Sequence, residues 1–507
     1  MRKTLVDFKH VSGPAFDSIL LALIQIVTYA TNIITTKLLS VELSLLEYGT
    51  YSTVNSIITI AASFTLFGLG DSINYYYNRK TEDSDGQMEK IEYVNTIFFI
   101  QLIIGVIVGL FLMFFSGLIS SYYHNPLVKP LVLIVCLKPW ISNATHLYQV
   151  LFVSSGKAKL IAIRNLIISI LKVFLLFIAV MVFDSLSVVF GCLVALDIAQ
   201  LIAFKYIFGK INFKINIFSF CKQKLPNVIK YTVPMGIYFV TTTLMREIDK
   251  LVIGGLGTVE ELAVYANCAK TLPVNILITS FATVLVPYIM RNVSSKNYQL
   301  TVQILKKYLT IGYLSVWMFS SVLLLCATES IRFFYSSEYI TGLPIFVIYV
   351  LEGMIQFAGV HLVIAANGDS KFLMRTSILL LLFNAVLSVV LYRIFSGFGV
   401  ALFGPAIATL FISIVYVYIF YCQTSKILQV KIRDFLPLRS MIVYLCQLFA
   451  IGLFFYAVKY IMLLGNLPWM IILIGVGGGY CVLIFLCNIK QYKSLFGEIN
   501  QLKNSKL

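Results

Sequence analysis

Residues 93–128 are YVNTIFFIQLIIGVIVGLFLMFFSGLISSYYHNPLV, a stretch without Asp, Glu, Lys or Arg. A membrane-spanning helix needs roughly 20 consecutive, mostly apolar residues, so this stretch is long enough to cross a bilayer. Two further stretches, 308–328 and 460–489, are also free of these charges. A transmembrane β-barrel would have short segments of alternating polarity instead of continuous apolar runs. The sequence therefore predicts transmembrane α-helices.

The whole chain has the composition of these stretches. Its 507 residues are 59% hydrophobic and 12% charged, and its mean hydropathy is +0.91. Soluble domains are about 25% charged, so this composition argues against a soluble enzyme. The net charge of +17 does not indicate nucleic-acid binding, because the basic residues separate apolar helices and form no basic domain. Neither the cysteines nor the histidines are spaced as metal ligands, and we expect no metal or cofactor.

The apolar segments, with Pro and Gly at many of their ends, predict an all-α integral membrane protein with about fourteen transmembrane helices. The predicted helices are 13–40, 48–72, 93–121, 130–154, 160–183, 186–207, 231–256, 261–289, 308–328, 341–366, 373–396, 398–422, 440–464 and 467–488.

The distribution of basic residues predicts the orientation of these helices. With the N-terminus inside, 29 of the 39 Lys and Arg residues fall in the termini and the inner loops. The short outer loops hold about four, namely Lys129, Arg332, Arg393 and Lys459. Because cytoplasmic loops are enriched in Lys and Arg, we predict that both termini lie in the cytoplasm and that the helix number is even.

Two short motifs recur six helices apart. Residues 47–51 (EYGTY) correspond to 261–265 (ELAVY), and residues 156–159 (GKAK) correspond to 368–371 (GDSK). An even shift preserves helix direction, so we expect two parallel six-helix repeats. The predicted divisions are an N-terminal bundle at 1–208, a cytoplasmic linker at 209–230, a C-terminal bundle at 231–423, and two additional helices with a cytoplasmic tail at 424–507.

Several charged residues lie inside the predicted helices. A charge near the bilayer centre costs at least about 2.5–3.5 kcal/mol on insertion scales, so it usually faces water or a partner. The interface between two such bundles is where transporters hold substrates. We predict there a hydrated cavity with excess positive charge that attracts a phosphate or another anion. Its candidate cationic residues are Arg246, Lys250, Lys270, Lys138 and Lys37.

The charges of the seventh helix are close together. Arg246, Asp249 and Lys250 share one helix face by spacing, and Glu247 can also reach Lys250 on the next turn. Four charges in five residues favour a cavity for this cluster, although it is nearly self-neutralising. The alternative for charges inside the helices is internal ion pairing or snorkelling at helix ends, which we favour for Lys37.

Five short motifs occur in a fixed order over about residues 10–490: Glu47–Tyr51, Ile248–Gly254, Val264–Ala266, Ala366–Lys371 and Gly397–Ala401. With them the chain resembles the polysaccharide flippase family (Wzx type), which belongs to the superfamily of MATE multidrug exporters and lipid II flippases. The resemblance implies a MATE-like fold of two six-helix bundles plus two C-terminal helices.

The resemblance also implies a function. A member of that family would move undecaprenyl-diphosphate-linked oligosaccharide across the bacterial cytoplasmic membrane by alternating access, without catalytic residues. Cationic residues, here Arg246, Lys250 and Lys270, would hold the substrate. Besides this substrate and the bilayer, a polysaccharide polymerase and chain-length machinery are the implied partners, and nucleic acid is not. Coupling to an ion gradient is expected, and the candidate acidic residues are Asp249, Glu247, Glu352, Asp71 and Asp197.

Other functions remain open at this point. A cation-coupled multidrug exporter of the MATE type shares the fold, but an acidic cavity would suit organic cations better than the basic excess seen here. A membrane-embedded polysaccharide polymerase or glycosyltransferase usually needs a large loop outside the membrane or a paired acidic motif, and neither is visible. A channel is disfavoured because the sequence has no recognisable pore loop.

Overall fold

The computed structural model describes residues 14–78, 85–270, 289–293, 295–357 and 361–494. Within these ranges the secondary structure is helical, and no strand occurs. The chain divides into two compact units, Met1–Thr243 and Leu244–Leu507, called here the N-terminal and C-terminal units. The boundary between them falls inside one long helix, α9 (Leu225–Leu256).

The helices of the N-terminal unit, before α9, are α1 (Pro14–Glu42), α2 (Leu45–Leu66), α3 (Leu69–Asn78), α4 (Asp85–Tyr122), α5 (Val128–Val135), α6 (Lys138–Ser154), α7 (Ala158–Met181) and α8 (Leu186–Ile211). Those of the C-terminal unit, after α9, are α10 (Val259–Cys268), α11 (Tyr298–Leu325), α12 (Ala327–Phe334), α13 (Leu343–Ile355), α14 (Leu362–Ala366), α15 (Ser370–Ser396), α16 (Phe403–Leu428), α17 (Ile432–Phe435), α18 (Leu438–Leu464) and α19 (Trp469–Cys487).

In the described part of the chain, ten helical segments are long and apolar enough to cross a membrane. Their outward faces carry large apolar side chains: Phe449, Phe454 and Ile461 of α18 are 62–71% exposed. Contiguous exposed apolar surface of this kind is rare on soluble proteins and suits contact with lipid acyl chains. The protein is therefore a multi-pass membrane protein, as predicted, whereas the total of fourteen helices stays a prediction.

The first repeated motif begins a helix in each unit. Ser44 and Glu47 form a capping box at the start of α2: the Glu47 N–H donates to Ser44 Oγ at 3.3 Å, and the Ser44 N–H donates to Glu47 Oε2 at 3.0 Å. Thr258 and Glu261 do the same at the start of α10, at 3.1 and 2.9 Å. The repeated glutamate thus satisfies helix N-terminal N–H groups.

The second repeated motif ends a helix in each unit. Gly156 follows α6 with φ +76°, and Gly368 follows α14 with φ +83°. The N–H of the residue after each glycine bonds back to a helix carbonyl, Phe152 O at 2.8 Å and Ile364 O at 3.1 Å. This is the left-handed helix end that glycine adopts without a steric penalty. Both repeated motifs therefore have local structural roles, and the predicted domain boundaries stay a prediction.

The predicted helix at 48–72 corresponds to one apolar segment long enough to cross a membrane, Leu45–Tyr77, but this segment is broken between α2 and α3. Phe67 and Gly68 adopt φ values of +37° and +73°. At this break the first part of α9 approaches so closely that a Cβ on Gly68 would lie 3.1 Å from the Gly236 nitrogen. The hydroxyls of Ser72 and Thr232 are 2.7 Å apart and join the same two segments. The break thus allows close packing within the N-terminal unit.

The predicted helix at 130–154 is also interrupted, between α5 and α6. Pro139 has no N–H and its ring conflicts with the carbonyl four residues earlier, that of Val135, where α5 ends. The Pro139 carbonyl accepts a hydrogen bond from Thr65 Oγ1 at 3.2 Å, and the Trp140 carbonyl accepts one from Gln101 Nε2 at 3.0 Å. Neighbouring helices therefore satisfy the backbone groups next to this break, as a membrane interior requires.

In the C-terminal unit, one predicted helix is interrupted and another lies partly outside the described residues. The predicted helix at 341–366 is wrong as one element, because α13 ends at Ile355 and Gln356 and Phe357 are not helical. The Trp317 indole N–H donates to the Met354 carbonyl at 2.8 Å and so satisfies an acceptor at this break. Of the predicted helix at 261–289, α10 covers the beginning, and residues 271–288 lie outside the described ranges.

The connection between α8 and α9, residues 212–224, is anchored on the start of α4. The Asn216 N–H donates to Asn95 Oδ1 at 3.1 Å. Lys224 Nζ lies 2.8 Å from Glu89 Oε1, and this hydrogen bond is the main cause of a raised pKa of Lys224. The connection is therefore held by specific contacts within the N-terminal unit.

The last two long helices pack on α11 and α12. Tyr444 of α18 donates to the Leu314 carbonyl at 2.9 Å, and Tyr492, after α19, donates to the same oxygen at 3.1 Å. Lys459 Nζ of α18 donates to Glu329 Oε2 of α12 at 2.8 Å. A small core around buried Cys326 lies between these elements. The C-terminal helices are thus integrated into the C-terminal unit.

Candidate functional site

A buried carboxylate lies in the second part of α9. Asp249 is 1% exposed, in the middle of the charged sequence 246–250. Burial of an ionised carboxylate is costly unless hydrogen bonds compensate for lost water. The partners of Asp249 therefore determine what this position can do.

Hydroxyl groups from four helices surround Asp249. Tyr265 of α10 donates to Asp249 Oδ2 at 2.8 Å, and Tyr349 of α13 donates to the same oxygen. Thr409 Oγ1 of α16 lies 2.9 Å from Oδ1 and 2.8 Å from Oδ2. Ser388 Oγ of α15 lies 3.4 Å from Oδ1. Among the described residues, the hydrogen bonds of Asp249 are all with hydroxyl groups, so none of them supplies a positive charge.

This group of five residues, called here the Asp249 cluster, offers only oxygen atoms. Oxygen ligands suit hard cations, and a buried carboxylate without a cationic partner can also take up a proton. Asn384 Nδ2 lies 3.3 Å from Thr409 Oγ1 and extends the polar contacts along α15. The Asp249 cluster therefore has the ligand chemistry of a cation or proton site.

A second carboxylate lies one turn from the Asp249 cluster. Glu352 is three residues after Tyr349 on α13, half-buried, and accepts a hydrogen bond from Ser413 Oγ at 2.9 Å. Two acidic residues among neutral hydroxyl donors favour a positive species over an anion at this place.

The charged neighbours of Asp249 on α9 differ from it in burial. Lys250 Nζ lies 2.9 Å from Glu247 Oε2, as the spacing indicated. Arg246 is exposed and Lys250 is half-buried, whereas Asp249 is buried. The shared cavity role of these residues stays a prediction.

Lys270, the last described residue before 271–288, is also in the C-terminal unit. Its Nζ donates to Asn267 Oδ1 at 2.9 Å and lies 5.9 Å from the centre of the Tyr335 ring. Lys270 is half-buried, and its amide and aromatic neighbours stabilise an ammonium group without neutralising it.

The other candidate residues belong to the N-terminal unit. Lys138 pairs with Asp197, which also accepts a hydrogen bond from Ser142 at 2.6 Å. Lys37 in α1 and Asp71 in the first turn of α3 are half-buried. The pairing of Lys138 with Asp197 and of Lys250 with Glu247 lowers the local positive charge of the proposed cavity lining. The cationic role of these residues stays a prediction.

The sequence pointed to Asp249 but not to the residues that surround it. Tyr349, Ser388 and Thr409 lie in apolar helices, where isolated hydroxyl residues are common, and their spacing gives no signal that they converge. Tyr265 appeared in a repeated motif, but as a repeat position and not as a ligand. Within the described ranges no group of three His, Cys, Asp or Glu residues could hold a metal ion.

Several solved structures share this fold, and because their sequence identities to this chain are low, the comparison concerns the fold alone. A lipid II flippase, MurJ, in an inward closed conformation matches with a TM-score of 0.68 at 16% identity, covering 94% of this chain and 100% of that one. An inward-facing multidrug resistance MATE family transporter of the MOP superfamily matches with a TM-score of 0.59 at 14% identity, covering 82% of this chain and 99% of that one. The chain thus has the MurJ and MATE fold that the resemblance implied.

A third match is a MOP superfamily transporter from Pyrococcus furiosus, described by the reverse polarity of its binding pocket. Its TM-score is 0.53 at 14% identity, covering 81% of this chain and 95% of that one. No curated protein matches this sequence. The sequence matches the family described as polysaccharide biosynthesis protein over residues 37–344, more than half of the chain. The chain therefore belongs to the polysaccharide biosynthesis protein family.

Proposed function

We propose that the protein is a flippase that moves undecaprenyl-diphosphate-linked oligosaccharide across the bacterial cytoplasmic membrane by alternating access. The observation that carries this proposal is that the chain belongs to a polysaccharide biosynthesis family and has membrane-spanning helices in a transporter fold. A polysaccharide-pathway protein whose described residues are mostly membrane-length helices fits movement of a lipid-linked intermediate.

The Asp249 cluster is proposed as the coupling site. A cation or proton bound there would compete with the hydroxyl hydrogen bonds that hold α10, α13, α15 and α16 around α9. Occupancy would therefore change the relative stability of two arrangements of these helices, as coupling requires. Glu352 is a further candidate for this role, followed by Glu247, Asp71 and Asp197.

The cationic residues are proposed to hold the substrate diphosphate. Arg246, Lys250 and Lys270 are the candidates that the resemblance implied, and Lys138 and Lys37 are the further ones. A guanidinium suits a diphosphate because its fork can bind two oxygens at once. We propose a polymerase and the chain-length machinery as partners on the outer side. Both termini are proposed to lie in the cytoplasm.

The test is transport of a fluorescent undecaprenyl-diphosphate-linked glycan in proteoliposomes under an imposed ion gradient. Asp249→Asn should abolish gradient-driven transfer, and Arg246→Gln should weaken substrate binding. Glu260→Gln, an acid-to-amide change at an exposed residue of α10, is the matched control and should retain transfer.

The same vesicles separate this proposal from its alternative. Transport of a fluorescent organic cation with no transfer of the glycan would assign the protein to multidrug export, which the acidic pair Asp249 and Glu352 would suit. Transfer of the glycan that is unchanged in Asp249→Asn and in Glu352→Gln would remove the coupling site but leave the flippase.

A further inference from the structure

A groove lies between α7 and α8, two consecutive helices joined by the short connection 182–185. It has a volume of about 230 Å³. Leu160, Leu171 and Ile207 line it and are each 40–41% exposed, so the groove is open on the outer face of the helix pair. Its lining is apolar apart from Arg164 and Gln200.

The groove has the length of one bilayer leaflet. It extends from Leu160 to Leu171 along α7, and from Ile207 to Leu196 along α8. At about 1.5 Å per residue, each side is roughly 16 Å long. Half of the hydrocarbon core measures about 15 Å. An acyl chain of one leaflet therefore fits along the groove, whereas a chain crossing both leaflets would extend beyond it.

Arg164 lies near the end of the groove that the positive-inside distribution places in the cytoplasm. It is six residues from the start of α7, about 9 Å along the helix. An arginine at this depth can extend toward the headgroup region while its methylene groups stay in the apolar region. Its guanidinium also lies 4.9 Å from the centre of the Phe204 ring, which fixes its direction.

The hydrogen bonds of the Arg164 guanidinium are with neutral amide groups. Its Nη1 donates to Asn165 Oδ1 at 2.7 Å, and its Nη2 donates to Gln200 Oε1. Its Nε is buried and, within the part of the chain that the structure describes, has no hydrogen-bond partner. Asp197 acts on Arg164 through its charge, but its hydrogen bonds are with Lys138, Ser142 and Gln200. The hydrogen-bonding capacity of the Arg164 guanidinium is therefore incompletely used.

We propose that an anionic phospholipid binds in the groove between α7 and α8, with its phosphate on Arg164 and one acyl chain along the apolar walls. The phosphate supplies further hydrogen-bond acceptors and a negative charge on the groove side of the guanidinium. The acyl chain covers the exposed faces of Leu160, Leu171 and Ile207. An extended peptide would leave backbone groups unsatisfied against this lining, and a helix is too wide for a groove of about 230 Å³, so a lipid fits better.

Native mass spectrometry of the full-length protein in detergent tests this proposal with phosphatidylglycerol and phosphatidylcholine as probes. Phosphatidylglycerol should bind more tightly than phosphatidylcholine. Arg164→Met should weaken phosphatidylglycerol binding by roughly tenfold, the effect of losing one charged hydrogen-bonding partner, and leave phosphatidylcholine unchanged. Ala203→Phe, which fills the groove without changing the charge, should weaken both lipids.

Lys205→Met is the matched control, because Lys205 is exposed on α8 and does not line the groove. This variant should bind phosphatidylglycerol as the unchanged protein does. Equal weakening in Lys205→Met and Arg164→Met would mean general charge attraction and would overturn the proposal. Should Arg164→Met not fold, Arg164→Lys, which keeps the charge but loses the fork, should still weaken binding.

Two other occupants are separated by the same spectra. Excess inorganic phosphate should leave phosphatidylglycerol bound, and displacement by phosphate would mean that Arg164 holds a free anion. The protein should remain one chain per complex. A dimer that disappears in Ala203→Phe would assign the groove to a second copy and overturn the lipid site.

Discussion

The Thr409 hydroxyl lies 2.9 and 2.8 Å from the two carboxylate oxygens of Asp249, so one side chain of α16 contacts both oxygens of a carboxylate on α9. One hydroxyl proton can serve only one of these oxygens at a time, which leaves the other dependent on Tyr265, Tyr349 and Ser388. Asn384 Nδ2 donates to Thr409 Oγ1 at 3.3 Å, so one lone pair of this oxygen remains available to a cation. The position of Thr409 is therefore sensitive to whether Asp249 holds a proton, a cation or neither.

We expect Thr409→Val, which keeps the side-chain shape and removes the hydroxyl, to weaken the ion dependence of transport. Hydrogen bonds to charged groups contribute about 1.5–3 kcal/mol, so the ion concentration at half-maximal transport should rise roughly tenfold or more. The measurement is glycan transfer into proteoliposomes at graded Na⁺ concentration and graded pH.

Thr310→Val is the control for that experiment, because among the described residues the Thr310 hydroxyl bonds to the Lys306 carbonyl of its own helix. It should leave the ion dependence unchanged. If Thr409→Val and Asp249→Asn both transport with the ion dependence of the unchanged protein, the Asp249 cluster is a structural element and the coupling site lies elsewhere.

Replacing either repeated glycine by alanine should lower the stability of the protein, although there is room for the added Cβ. A Cβ on Gly156 or Gly368 meets nothing within 4 Å, but both residues have positive φ. The left-handed conformation costs a residue with a side chain about 1–2 kcal/mol. Gly156→Ala and Gly368→Ala should therefore each lower the melting temperature, measured by intrinsic fluorescence in detergent.

Gly191→Ala is the matched control for these two variants. Gly191 lies within α8, and a Cβ there also meets nothing within 4 Å. Because alanine is favoured over glycine by about 1 kcal/mol inside a helix, this variant should not lower the melting temperature. Equal destabilisation by all three changes would contradict the conformational explanation.

The parts of the fold that follow from local rules could be predicted from the sequence. Uninterrupted apolar runs predicted the membrane helices, and the recurring motifs around Glu47 and Gly156 mark helix starts and helix ends in both units. The break before Pro139 was also encoded locally, and its residue pattern should have predicted the end of α5. The breaks at Gly68 and after Ile355 depend on close packing by segments distant in sequence, which one sequence does not reveal.

The candidate site could likewise be predicted only in part from the sequence. Asp249 stood out because a carboxylate in an apolar helix needs an explanation. Its partners Tyr349 and Thr409 are 100 and 160 residues away along the chain, and their side chains are ordinary in membrane helices. Spacing on α9 also suggested a shared face for Arg246 and Asp249, but of these two side chains Asp249 is buried and Arg246 is exposed. Helix periodicity fixes which side chains lie near each other, but not which of them neighbouring helices enclose.

The ion pair between Lys459 and Glu329 should stabilise the attachment of α18 to α12 far more than a surface pair of the same length. Lys459 Nζ lies 2.8 Å from Glu329 Oε2, and the two side chains are 13% and 6% exposed. Lys459 also donates to the Leu325 carbonyl at 3.0 Å. Removing one partner of a buried pair costs about 3–5 kcal/mol, because the other charge stays buried without compensation.

We therefore expect Lys459→Met to lower the melting temperature strongly, and Glu329→Leu combined with Lys459→Met to recover much of the loss, because no charge is then left buried. The pair Lys224–Glu89 has the same 2.8 Å distance but side chains that are 20% and 36% exposed. Surface pairs contribute about 0–1 kcal/mol, so Lys224→Met should change the melting temperature little. Additive losses in the double variant would mean that Lys459 and Glu329 act through separate contacts, and the buried pair would not be what holds α18 in place.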